Sequence, residues 1–328
     1  MSTFFGAIRR RVLTPPTSET TMEVRGFHVK NEEAKARLEN IGEIFLRGYA
    51  YAVEAGSAAE AEEMLETVPL DMRGFAYEGA GMGAAVYDSL PGHSGRLSGL
   101  LAGKGRDHDY MIYVGVGWAM ARLPRILWPD IRKTDPLLRW LALDGYGFHQ
   151  AYFRTDSYVR DPHARHSFRW NGGHNDYTPN AIDQGIGRAL WFVGGTDPDV
   201  VTELIRSYPE SRHSDLYAGA GLASTYAGGV TEEELTRFAE GAGEHRFSLA
   251  QGSAFAIEAR IKAGTIIDHT HLAARVLCNA TAEQAARVCT DLRPAAVGPE
   301  NSPAYETWRL DVAAELASLS LSRKGADL

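Results

Sequence analysis

Glu78, His149 and Asp183 are the residues of this sequence best placed to do chemistry. Glu78 stands just before Gly79-Ala80-Gly81-Met82-Gly83. Asp183 lies two residues before Gly185-Ile186-Gly187-Arg188-Ala189. His149 ends Gly145-Tyr146-Gly147-Phe148-His149. These are copies of one motif, and stacked repeats place equivalent positions along one surface. An imidazole titrates near neutral pH and can pass a proton or ligate a metal. Carboxylates beside it can orient it or share the metal. We expect the three to face one cavity roofed by residues 154–179, with His149 as acid/base or ligand. The competing reading of the carboxylates is solvated surface.

A second set lies in that roof, RTDSYVRDPHARHSFRWNGGHNDYTP. His163-x-x-His166 with His174 and Asp176 has a spacing that zinc or iron could use. No HExxH or CxxC framework accompanies it, so the cofactor is unspecified beyond a candidate metal ion. Asp268-His269-Thr270-His271 is a further candidate, or a polar helix start. Trp118, Phe148, Tyr152, Trp170, Tyr177 and Trp191 concentrate aromatic surface in the middle third. They pack a core, or they line a pocket suited to a hydrophobic or polyunsaturated ligand. Trp118, Phe148, Tyr152, Trp170, Gln184 and Trp191 are the candidate ligand contacts. No Gly-x-Ser-x-Gly elbow occurs, and Cys278 and Cys289 read as core.

The elements that must position these residues follow from the motif. It begins at Gly48, Gly79, Gly115, Gly145, Gly185, Gly219 and Gly252, at intervals of 31, 36, 30, 40, 34 and 33 residues. The mean of 34 is the period of a helix-pair repeat. Between the copies, Ser57–Thr67 is rich in Ala and Glu, and Thr231/Glu234 and Thr281/Gln284 have capping-box spacing. Glycine costs a helix roughly 1 kcal/mol against alanine. Several per helix therefore imply a smooth stripe for close helix packing. A phosphate-cradling loop would need a strand before each Gly-x-Gly, and none reads there.

The fifth motif position is small in every copy but one, where it is His149; that break points to a cavity or a displaced neighbour. The expected fold is all-α, with about seven helix pairs in a tetratricopeptide-like solenoid or a closed (α/α) toroid. Residues 1–33 read as an N-terminal arm and 34–328 as one helical-repeat domain with an insertion at 154–179. The arginines of Phe4–Leu13 follow the apolar residues, the wrong order for a secretory signal.

With 44% hydrophobic and 23% charged residues, the 328-residue chain has ordinary globular composition. A net charge of -8 argues against a general nucleic-acid surface. No apolar run approaches the length of a membrane span. Two cysteines cannot staple such a chain, and a reducing cytoplasm is the expected compartment.

Arg25-Gly26-Phe27-His28, Gly74-Phe75-Ala76-Tyr77-Glu78-Gly79, Gly145–His149 and Asp183–Phe192 resemble the UnbL-type proteins of enediyne antibiotic gene clusters, an uncharacterised bacterial family. The resemblance implies an accessory role in turning a linear polyene into the enediyne warhead core. It also implies partnership with an UnbV-type protein and with membrane UnbU-type proteins, and supplies no catalytic residues. Two functions stay open: an accessory protein that acts on or holds the polyene, and a non-catalytic scaffold binding partner proteins. No dinucleotide fingerprint, haem motif or cluster cysteines occur, so the first would act in complex with the UnbV-type partner.

Overall fold

The computed structural model describes residues 4–164, 166–171, 173–295 and 303–326. Among them every regular element is a helix, as the repeat period predicts. The arm holds α1 (Phe4–Leu13) and the one-turn α2 (Met22–Arg25). Then come α3 (Glu32–Glu54), α4 (Ala58–Leu65), α5 (Arg73–Asp88), α6 (Arg96–Ala102), α7 (Asp109–Arg122), α8 (Leu141–Phe153) and the short α9 (Thr155–Tyr158). The second half has α10 (Thr178–Val193), α11 (Pro198–Arg206), α12 (His213–Tyr226), α13 (Glu232–Gly241) and α14 (Arg246–Lys262). It ends with α15 (Asp268–Leu277), α16 (Ala282–Asp291) and α17 (Ala304–Ala326).

The motif falls on α3, α5, α7, α8, α10, α12 and α14, which pack side by side in chain order. Glycine makes this possible. A Cβ on Gly115 would sit 2.0 Å from the Glu78 carbonyl oxygen; on Gly145, 1.9 Å from that of Val114; on Gly185, 1.8 Å from that of Asp144. The second glycine of each copy meets the following helix in the same way. Gly117, Gly147 and Gly187 would clash with the carbonyls of Ala142, Ile182 and Leu216 at 2.0–2.1 Å. Each inner helix thus touches both neighbours backbone to backbone. On α3, Gly48 does the work of the second glycine, against Ala76, and Gly79 meets Phe45. The first copy is therefore Leu46-Arg47-Gly48-Tyr49-Ala50, two residues earlier than its glycine suggests.

The outer layer is α4, α6, α11, α13 and α15, so five of the seven inner helices have the expected partner helix. Ser57 caps α4 through the Glu60 amide at 3.1 Å. Both capping boxes form, Thr231 with Glu234 and Thr281 with Gln284. After α7 and α8 the partner helix is replaced by short turns. Pro124, Pro129 and Pro136 interrupt the first segment and Pro162 the second, and proline breaks helix interiors.

The row of inner helices curls until its faces meet. The ring of Tyr226 on α12 packs edge-on against Phe75 on α5 at 5.1 Å. Arg37 on α3 donates to the Ala227 carbonyl, and Lys262 at the end of α14 pairs with Asp109 on α7 at 2.6 Å. The concave side is largely filled by side chains, with a narrow cleft left among them. The arm shares it: Met22 and Phe27 belong to the same buried core as the inner helices. Arg9 donates to the carbonyls of Val53 and Glu54 at 3.0 and 3.1 Å, satisfying the C-terminal end of α3.

In an ordinary helix interior, Gly→Ala stabilises by roughly 1 kcal/mol. Here the sign should reverse. Gly185→Ala should destabilise by about 3 kcal/mol or more through overpacking against backbone, read as a lower midpoint in denaturant unfolding. A variant as stable as wild type would contradict the backbone contact.

Candidate functional site

A helix places residues four apart on one face. On five inner helices the fourth motif residue points inward: Met82, Trp118, Phe148, Arg188 and Leu222. One turn further on, Arg122, Tyr152, Phe192 and Tyr226 continue the stripes, and one turn back Glu78 does. Together with Leu38, Ile41 and Phe45 of α3 they line one narrow cleft with a cavity of about 60 Å³. That is well below small-molecule sites of roughly 300–1,000 Å³, so a bound chain has to part the side chains that line it. Its walls are overwhelmingly apolar and aromatic. Trp118 is the hub, with Phe45 at 4.6 Å, Phe148 at 4.9 Å and Tyr152 at 6.0 Å between ring centres.

The roof differs from expectation. Pro15, Glu19 and Thr20 of the arm border the cleft. Tyr152 donates its hydroxyl to the Thr20 carbonyl at 3.4 Å. Arg25 pairs with Glu19 at 3.1 Å and lies over the Phe153 ring at 5.1 Å. No described residue of 154–179 lines the cleft. That segment is held elsewhere by its own anchors. Phe168 packs on Tyr146 at 5.0 Å, Trp170 on Trp140 at 4.6 Å, and Arg212 donates to the carbonyls of Pro162 and Ala164 at 2.6 and 3.2 Å.

The three proposed catalytic residues separate. Glu78 lies in the cleft wall, 3% exposed, and its Oε1 has no hydrogen-bond partner. Nearby, Arg188 is already engaged with Asp144, at 2.9 Å for Nε–Oδ1 and 3.0 Å for Nη2–Oδ2. Burial pushes the Glu78 carboxyl up to about 8; Arg188 opposes this, Asp144 adds to it, and the nearby Trp118 indole N–H opposes it more weakly. One buried guanidinium cannot neutralise two carboxylates, so at neutral pH Glu78 keeps its proton. It is a proton-bearing acid facing apolar space.

His149 is not in the cleft wall. It sits behind Arg122, its ring 4.7 Å from Phe153 and 5.4 Å from Trp118. Its Nε2 accepts a hydrogen bond from Arg122 Nε at 3.2 Å. That assigns the proton to Nδ1, which has no partner. Burial, and then Arg122, lower its pKa to about 3. The expectation of an imidazole titrating near neutrality is therefore corrected: His149 is neutral and holds Arg122. Asp183 is corrected as well. It makes a two-pronged pair with Arg212 at 2.7 and 3.0 Å, away from the cleft.

Of the six proposed ligand contacts, Trp118, Phe148 and Tyr152 line the cleft. Trp170 packs on Trp140. Trp191 is fully buried, donating to the Gly228 carbonyl at 3.1 Å. Gln184 donates to Tyr177 and Asp215 and accepts from Tyr305. The metal expectation at His163, His166 and His174 also fails. His166 stacks on Tyr158 at 3.6 Å, and the described residues contain no group of three metal-ligating side chains. Sequence reasoning missed Arg122, Arg188, Phe153, Phe192 and Tyr226. Arg188 had a signal, as the only charged residue at the fourth motif position.

Residues 4–316 match the family model described as protein of unknown function (DUF1702). The chain belongs to that family. The match runs from the arm over every inner helix and into α17, so arm and cleft fall within one family unit. Among curated proteins and solved structures, none matches the chain significantly. Among the described residues, no helix is long and apolar enough to cross a membrane.

Folding raises the Glu78 pKa from 4.5 to about 8. The folded protein thus holds a proton that the unfolded chain releases between those values, so this group's stabilisation is complete below pH 4.5 and falls as pH climbs to 8. Glu78→Gln should be more stable than wild type at pH 8 by a few kcal/mol, with the gap closing towards pH 4.5, in paired denaturant titrations. A gap independent of pH would mean that Glu78 is not protonated. Asp183→Ala should cost about 3–5 kcal/mol, because it strands a buried guanidinium. Ligand binding per folded molecule should not change.

Proposed function

We propose that the protein holds a linear conjugated chain in the cleft between its inner helices, as an accessory protein of enediyne-type polyketide biosynthesis during formation of the warhead core. The observation that carries the reading is the apolar, aromatic lining of the narrow cleft, which opens further to admit a chain. An extended polyene is apolar and flat, and the rings of Trp118, Phe148 and Tyr152 offer it faces and edges to pack on. The resemblance to UnbL-type proteins supports the pathway. Glu78 is the group suited to proton transfer on a bound chain, since its pKa lies near neutrality and its carboxyl faces the cleft. A change in the oxidation level of the polyene would draw on a partner, and an UnbV-type protein is the proposed one.

The scaffold reading has one observation in its favour. Ile126, on the turn segment that replaces an outer helix, is 91% exposed, and an exposed apolar side chain suits a docking partner.

Binding of a linear polyene should shift its absorption and quench tryptophan fluorescence on titration into the purified protein. Leu222→Trp fills the cleft from α12, and Met82→Trp from α5. Each should weaken binding at least about tenfold while the helical circular dichroism stays intact, a loss of 1.4 kcal/mol or more. Folded variants that bind as wild type would place the ligand elsewhere.

A further inference from the structure

The charges around the cleft do not cancel. Arg25 is paired with Glu19, and Arg188 with Asp144. Glu78 carries its proton. Arg122 is left over: no carboxylate pairs with it among the described residues, and it faces solvent at the cleft's edge.

Arg122 is nonetheless fixed. Its Nε donates to His149 Nε2 at 3.2 Å, and its guanidinium lies over the Phe153 ring at 5.2 Å. These two contacts set the plane of the group and leave its two terminal nitrogens unengaged. A pair of parallel N–H donors matches the two oxygens of a carboxylate. The simpler role is to complement the negative end of α7, where Arg122 is the last residue. That role needs only a charge. It does not call for a buried, neutral imidazole behind Nε, 5% exposed and with its second nitrogen unpartnered.

Resting on the reading of the cleft as a chain-binding site, we propose that Arg122 anchors the carboxylate of a long-chain unsaturated acid. His149 is the positioning residue that presents the guanidinium. The chain runs inward from Arg122 past Trp118, one turn back on α7, and parts the side chains of Phe148, Met82 and Glu78 that line the narrow cleft. Glu78 then meets carbons remote from the carboxylate, and any proton it transfers goes to or from the distal part of the chain.

The test uses the full chain with cis-parinaric acid, a conjugated tetraenoic fatty acid whose fluorescence rises in apolar sites, and with its methyl ester. The acid should bind about tenfold more tightly than the ester, as a charge-assisted pair requires. Arg122→Gln should remove that preference by weakening the acid alone. His149→Phe should do the same, and His149→Gln, whose amide oxygen can accept from Nε, should restore it. Equal binding of acid and ester by the wild type overturns the carboxylate anchor and leaves the chain-binding reading standing. Equal weakening of both probes by Arg122→Gln also overturns it, since Arg122 would then act on the cleft's shape. Binding of neither probe overturns both readings.

Discussion

The structure depends on backbone meeting backbone between successive inner helices. With the Cβ of Gly115, Gly145, Gly185 or Gly219 replaced by a hydrogen, a helix can lean on the carbonyls of its neighbour. Such contacts gain from Cα–H···O and dispersion attraction. They also leave no room for adjustment. Once neighbours touch at the motif, the residues one turn either side point along the inner face, because positions four apart are aligned. Met82, Trp118, Phe148, Arg188 and Leu222 meet around one space for that reason. The cleft is a consequence of the glycine contacts.

The same geometry explains what the sequence did and did not disclose. A period near 34 and repeated glycines are local signals, and they identify the inner helices and their contact face. Glu78 was picked out as the residue just before its motif copy, and it lines the cleft because that position is one turn before Met82. Asp183 misled because it is adjacent to Gln184, and adjacent helical residues point about 100° apart. Gln184 takes the inner face and Asp183 turns to Arg212. His149 was rightly singled out as the break in a small-residue register. Its role was misjudged because the group that uses it, Arg122, comes from the preceding helix at a contact no spacing encodes. The arm over the cleft is equally non-local. Thr20 fits there because Gly42 has no Cβ; one placed on Gly42 would stand 2.5 Å from that of Thr20.

Beside the cleft the interior is polar, and fully charged groups are packed into it. Arg309 of α17 donates to Tyr177 at 2.7 Å, Asp215 at 2.9 Å and Gln251 at 3.1 Å. Gln184 and Tyr305 extend the set. Buried ions need such partners, because removing one leaves the other charged and desolvated. The network ties the last helix to α10, α12 and α14. It contrasts with Glu78, which α7 separates along the row from the helix of Asp144 and which has no cation of its own.

That contrast bears on what Glu78 is for. A buried carboxyl oxygen without a partner costs stability. The neighbouring ion pair does not require it, since Arg188 is already paired with Asp144. An apolar residue of similar size would pack the same wall without that cost. A side chain that lowers stability where packing does not require it, in the wall of the largely apolar cleft and with its pKa displaced by burial, has the features of a functional group rather than a structural one. His149 and Asp183 lie outside the cleft wall: each is buried against an arginine whose position it fixes. The physical case for chemistry in this fold therefore rests on Glu78, and the case for recognition on the arginine that His149 holds at the edge of the same cleft.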